Sequence, residues 1–260
     1  MGYVMSTPNQ DPLWYVPEWR KRFIEGGWWH SFELPDGSTI RGVSALDAQK
    51  MRLAQFPIPH DLSGKRVLDI GAWDGWFSFE MERRGAEVLA IDRFDNPRFH
   101  EIRERLGSRV EYRRLDVYEV SPCTVGRFDI VLFLGVLYHL KHPLLALERV
   151  CSVARDMAAV ESFVLGERHG LTAAQEERNL LQFFEDDDFG GQVDNWFAPT
   201  TACLLAKYEI RRTKMGPRFT GLFKPVSHFR TGRSTPPGRG GSRGAPGASP
   251  AGAGRPPAAR

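Results

Sequence analysis

The chain has 260 residues, 42% of them hydrophobic and 26% charged, an ordinary balance for one well-cored globular domain with appendages. No apolar run approaches the ~20 residues that span a bilayer, and no charged-then-apolar leader opens the sequence, so the expectation is a cytoplasmic protein without a membrane anchor. The formal charge of +3 belongs to the end of the chain: six arginines and no acid fall in residues 227–260, so residues 1–226 carry −3 and lack the overall basic character of a nucleic-acid binder.

Residues 1–62 hold four of the seven tryptophans (Trp14, Trp19, Trp28 and Trp29), with Tyr15, Phe23, Phe32 and Phe56 among them. Such density suggests an aromatic N-terminal cover that packs on a larger body. PEWRKRFIEGG is expected to form a short helix with a glycine stop, and LPDG a turn. SALDAQKMRLAQF is expected to form a second helix, with Ser44 as N-cap and Asp47 three residues on.

From Lys65 the pattern becomes regular. RVLDIG is a short apolar strand, WFSFEMERRG a helix closed by Gly85, and EVLAIDR a second strand. NPRFHEIRERLG is a helix with Asn96 as cap and Pro97 at its first position. VEYRRLDV, FDIVLFLG and MAAVESFV follow as strands, with the helix PLLALERVCSVA before the last of them. Strands alternating with helices in this way imply an α/β fold, a parallel sheet with helices on both faces. After Val164 the alternation loosens into a polar stretch expected to hold a short helix and a loop, then a helix TTACLLAKYE. EIRRTK and FTGLFKPV, joined through Gly216 and Pro217, resemble an antiparallel closing hairpin at a sheet edge. Residues 227–260 are Gly, Pro, Ala, Ser and Arg with little to bury, the composition of a disordered tail. The chain therefore divides into a cover (1–62), an α/β domain (63–226) and a tail (227–260).

The three cysteines, Cys123, Cys151 and Cys203, form no CxxC pair, and Asp186–Asp187–Asp188 has no second set of hard ligands, so no metal is expected. The stretch VLDIGAWDGWFSF carries the chemistry. The first strand ends at Asp69–Ile70–Gly71, and a helix starts near Asp74–Gly75. Ligands of open parallel sheets bind at such carboxyl ends. Asp92 at the end of the second strand suits ribose hydroxyls, and Asp116 at the end of the third can reach an adenine amino group. The loop lacks Gly-x-Gly-x-x-Gly, which argues against a dinucleotide dehydrogenase.

Asp69-x-Gly71-x-x-x-Gly75, Asp92, Asp116 and Phe128–Asp129, in this order, resemble class I S-adenosylmethionine (SAM)-dependent methyltransferases. GVLYHLKHPLLAL, with WHSFELPDG upstream and DNWFAPTTACL downstream, resembles the branch related to tRNA wobble-uridine 5-oxyacetate methyltransferases. The resemblance implies a Rossmann-like, seven-stranded, mostly parallel sheet with an antiparallel last strand. It implies SAM as cofactor, held by Asp69, Gly71, Ala72, Trp73, Gly75, Asp92, Arg93, Asp116, Val117 and Gly135. Gly71 and Gly75 would admit the cofactor, and Trp73 would turn its side chain away from it. The tRNA enzymes use a lysine before the first strand to hold the extra carboxylate of carboxy-SAM. The matching stretch Trp29–His30–Ser31–Phe32 has none, although Tyr138 is kept, so plain SAM and a small-molecule acceptor are expected ahead of tRNA.

For proton removal, His139 is the first candidate by residue type, Glu161 the second, and Tyr138 more a pocket-lining residue. Trp28, Trp29, His30, Trp196 and Phe197 are candidates for an aromatic substrate lid, with packing in the core as the competing reading, and Trp29, His30, Tyr138 and Trp196 are the substrate-binding candidates. A non-catalytic nucleotide-binding or partner protein on the same sheet stays open.

Overall fold

The computed structural model describes residues 27–186, 188–189, 194–205, 210–215 and 218–223. The expected PEWRKRFIEGG helix and the tail lie outside the described residues.

A seven-stranded sheet organises the molecule in the order β10-β11-β7-β6-β3-β4-β5. Its strands are β3 (Arg66–Ile70), β4 (Glu87–Asp92), β5 (Glu111–Arg114), β6 (Phe128–Leu134), β7 (Ala154–Phe163), β10 (Ile210–Met215) and β11 (Arg218–Phe223). The ladders β3–β4, β4–β5, β3–β6 and β6–β7 are parallel, whereas β11 runs antiparallel to both β7 and β10. This is an α/β, Rossmann-like arrangement with a parallel centre. After β5 the chain crosses back to lay β6 beside β3. The loops after β3 and β6 therefore flank the topological switch point, where such sheets bind ligands.

Strand alternation divides the core between two faces. Leu68, Ile70, Leu89, Ile91, Val131 and Phe133 pack with Ala146, Leu147, Val150 and Val153 of the helix Pro143–Val153. Val67, Val88, Ala90, Ile130 and Leu132 pack with Phe77 and Met81 of the helix Trp76–Arg83 and with Phe99 and Ile102 of the helix Pro97–Leu106. Asp69 falls between Leu68 and Ile70, so alternation turns it toward the helix Trp76–Arg83. Asn96 caps Pro97–Leu106 as expected, its Oδ1 accepting the Arg98 N–H at 3.0 Å.

Before β3 the chain forms β1 (Phe32–Glu33), paired with β2 (Thr39–Ile40), and the helix Leu46–Leu53. Phe32, Leu34, Leu53, Phe56, Ile58 and Leu62 join the same hydrophobic cluster as Val67 and Phe77. The expected Ser44 cap is corrected: the N-cap is Ala45, with no side-chain bond, because Ser44 is engaged in a β-bridge with His30. The polar stretch after β7 contains the short helix Ala173–Glu176 and, unanticipated, β8 (Leu181–Phe183) paired with β9 (Phe197–Pro199). No helix among the described residues is long and apolar enough to cross a membrane.

Candidate active site

The loop after β3 is contorted. Gly71, Trp73 and Gly75 all have left-handed φ, at 76°, 54° and 89°. The Gly71 and Ala72 N–H groups both donate to the Ile91 carbonyl, at 2.8 and 3.2 Å, and the Gly75 N–H returns to the Ala72 carbonyl at 2.8 Å. Packing also demands glycine at 71 and 75. A Cβ on Gly71 would meet Val136 Cγ2 at 2.3 Å, and one on Gly75 would meet Phe99 Cε2 at 2.5 Å. Protein side chains fill that space, so these two glycines allow loop and core to close. Ala72 is buried beside them. Gly135, after β6, differs: with φ 74°, its nearest neighbours for an added Cβ are Tyr138 Oη at 3.7 Å and Arg52 Nη2 at 4.0 Å. Of the three, Gly135 has the open surroundings.

Asp92 closes the loop from the β4 side. Its Oδ2 accepts the Trp73 N–H and its Oδ1 the Phe94 N–H, both at 3.0 Å. Burial pushes its carboxyl above the usual range, against the pull of these N–H groups. Arg93 is exposed and stacks its guanidinium 4.7 Å from the Phe94 ring centroid. Asp116 caps the turn Val117–Glu119, accepting the Tyr118 N–H at 3.0 Å, and Glu119 returns to the Asp116 N–H at 3.1 Å. The Val117 side chain is buried in the core, which leaves its backbone as the part able to face a ligand.

Two acids in the motif are sealed. Asp69, only 3% exposed, accepts the Ser78 hydroxyl at 2.6 Å and so ties the helix Trp76–Arg83 to β3. Burial raises its carboxyl to about 6, countered by the Ser78 bond and by the nearby His30. Asp74, 1% exposed, takes the backbone N–H of Trp29 at 2.8 Å and of His30 at 2.9 Å, and pairs with His30 Nδ1. His30 is therefore a buried partner of the loop and not a lid residue, while Trp29 is held beside it through its N–H and stays partly exposed.

The β6 and β7 ends form the second half of the site. His139 Nδ1 lies 3.2 Å from the Asp194 carbonyl and 3.6 Å from its Oδ2. A proton on Nδ1 places the imidazole lone pair on Nε2. The Tyr138 ring lies 4.3 Å from that of His139, and the Tyr138 carbonyl accepts the Trp196 N–H at 2.9 Å. Lys141 Nζ sits 4.2 Å over the Trp196 ring. Tyr138, His139 and Trp196, chosen from separate parts of the sequence, are thus brought together. Glu161 reaches the same edge, with its Oε2 paired to Arg52 Nη2. Arg52 and Asp194 escaped sequence reading. Arg52 carried no local signal, and Asp194 headed the DNWFAPTTACL stretch without being given a role. Among the described residues, no group of three or more His, Cys, Asp or Glu side chains could hold a metal ion.

Residues 43–204 match the family described as "Methyltransferase domain". The chain belongs to this family. A ubiquinone biosynthesis O-methyltransferase of Acinetobacter baylyi is 37% identical over 86 residues, covering 32% of this chain and 36% of that protein. One of Hahella chejuensis is 36% identical over 101 residues, covering 37% and 42%. The match spans well under half the length of these curated relatives. The fold is also that of the N-terminal domain of EvdMO1 with SAH bound, at a TM-score of 0.56 and 20% identity, covering 81% of this chain and 98% of that one. In this methyltransferase domain the loops after β3, β4 and β6 meet at one edge, with Arg52 and Glu161 beside Gly135.

Proposed function

We propose that this chain is a SAM-dependent methyltransferase acting on an oxygen or carbon of a small-molecule acceptor. One observation carries the reading furthest: Arg52 Nε is buried without a hydrogen-bond partner, and the same guanidinium stands beside the open Gly135. An orphaned buried N–H costs about 1–3 kcal/mol, and the carboxylate of a methionine group would satisfy it. Asp92 would take the ribose hydroxyls, Gly135 and Tyr138 would line the methionine portion, and Asp116 would border the adenine end. When bound, SAM supplies a methyl group on a sulfonium, open to in-line displacement.

The remaining chemistry belongs to the chain. Asp194 orients His139 through Nδ1, and His139 accepts the acceptor's proton at Nε2. Tyr138 and Trp196, tied together through the Tyr138 carbonyl, position the acceptor and exclude water. The relatives named as ubiquinone biosynthesis O-methyltransferases support a small-molecule oxygen acceptor. We assign the methyltransferase domain to residues 63–226, with 1–62 as a cover that contributes Arg52 to the cofactor site and 227–260 as an appended tail.

Calorimetry with SAM and SAH tests the reading, and Asp92→Ala should weaken binding strongly. Unchanged affinity in that variant would sink the assignment. The wobble-uridine branch is the narrower reading, and mass spectrometry of the co-purified cofactor decides it: carboxy-SAM supports tRNA, SAM or SAH a small molecule. Turnover of no acceptor across a broad panel, with SAH still bound, would favour a non-catalytic binding protein.

A further inference from the structure

The loop after β3 holds a conformation that its own residues resist. Trp73 has φ 54° without being glycine, and a left-handed L-residue costs on the order of 1 kcal/mol. Contacts from outside the loop have to hold it there, and two are visible. From β4, Asp92 takes the Trp73 N–H at 3.0 Å. From the N-terminal side, the next residue, Asp74, takes both the Trp29 and His30 N–H groups and pairs with His30 Nδ1. The His30 ring also stands edge-on to Phe77, 5.5 Å away, in the first turn of the following helix.

Residues 28–31 are tied in turn to residues 42–49. The Val43 and Ser44 N–H groups donate to the Trp28 and Trp29 carbonyls at 2.9 and 2.7 Å. The Ser31 hydroxyl donates to the Ser44 carbonyl at 2.8 Å. Gln49 brackets Ser31, accepting its N–H at 2.8 Å and donating to its carbonyl at 3.0 Å. Residues 28–49 thus form one cross-linked clasp that packs on the loop through the cluster of Phe32, Leu34 and Ala72 and whose hydrogen bonds to the loop, among the described residues, run through the Asp74 carboxylate.

We infer that Asp74 and His30 are positioning residues that couple closure of the 28–49 clasp to occupation of the cofactor loop. This rests on the SAM reading above. Both partners stabilise one loop conformation, so whatever favours one favours the other by the same factor. Asp74 and His30 act through the backbone of Trp73 and Gly75, without touching the cofactor.

The test is SAH calorimetry on the wild type, Asp74→Asn and His30→Asn, with amide hydrogen exchange over residues 28–49 in the presence and absence of SAH. SAH should slow exchange in the wild-type clasp. Both variants should bind SAH about tenfold more weakly and lose that slowing. His30→Asn keeps both backbone bonds to Asp74, so it decides the matter if Asp74→Asn fails to fold. A purely structural role predicts a lower Tm with Kd and SAH-dependent protection unchanged, and that result overturns the inference. A wild type that binds neither SAM nor SAH overturns the SAM reading and this inference with it. A wild type that binds, with variants of equal affinity, overturns the coupling alone.

Discussion

The two loops flanking the switch point are built on opposite plans. The loop after β3 is closed: Asp74 within it, Asp69 in β3 and Asp92 at the end of β4 are buried, and each carboxylate accepts hydrogen bonds from within the chain. The segment after β6 is half-open, with Tyr138, His139 and Trp196 partly exposed around the Asp194 contact. A rigid, saturated loop suits a ligand that is the same in every cycle. A looser aromatic edge suits the acceptor, which has to enter and leave. On the proposed reading, the first loop supplies shape and the second adds proton transfer.

The strongest way to break that division is His139→Ala, which should lower kcat by about 10²–10⁴-fold while the calorimetric Kd for SAH stays unchanged. A matching loss of SAH affinity would show that the His139 imidazole itself contributes to the cofactor site. Gly75→Ala comes next. Its Cβ would lie 2.5 Å from Phe99 Cε2 at a φ of 89°, so overpacking and the left-handed backbone should cost about 2–4 kcal/mol of stability, read as a fall in Tm and weaker SAH binding. Asp194→Asn keeps the carbonyl that faces His139 Nδ1 and removes the carboxylate. It should cost roughly tenfold in kcat, since about 1 kcal/mol is typical of one lost contact, with Kd for SAH unaffected. Trp73→Gly should have the smallest effect, with little net change in Tm, because relief of the left-handed strain offsets the larger backbone entropy of glycine in the unfolded chain. Abolished SAH binding in Trp73→Gly would mean that the indole itself belongs to the site.

Asp69 sharpens the same comparison through pH. Burial raises its carboxyl from 3.8 to about 6, so between these values the folded chain binds more protons than the unfolded one. The Asp69 contribution to stability is therefore full below pH ~4 and is lost as pH rises through ~6. Denaturant titrations of wild type and Asp69→Asn across this window should show the decline in the wild type and its absence in the variant.

The order of strands and helices from Lys65 onward was legible because each element carries its own period and punctuation, as the Asn96 cap and Pro97 start illustrate. The β8–β9 hairpin was not, because its strands have three residues each and sit in polar sequence. Glycines 71 and 75 stand out in the sequence, but the pattern could not say that Val136, Phe79 and Phe99 fill the space beside them.

The sequence by itself determined the α/β alternation, the position of the motif at the carboxyl end of β3, and the residue types able to do chemistry there. Only the tertiary structure decided how those side chains are employed. Asp74 meets residues 44 and 45 positions away, His139 meets Asp194 across 55, and Arg52 meets Glu161 across 109. Local propensity and periodicity reach only a few positions along the chain. Whether a carboxylate opens to a ligand or is spent on a buried partner depends on which distant segment the sheet brings against it, and on the cost of leaving such a charge unpaired.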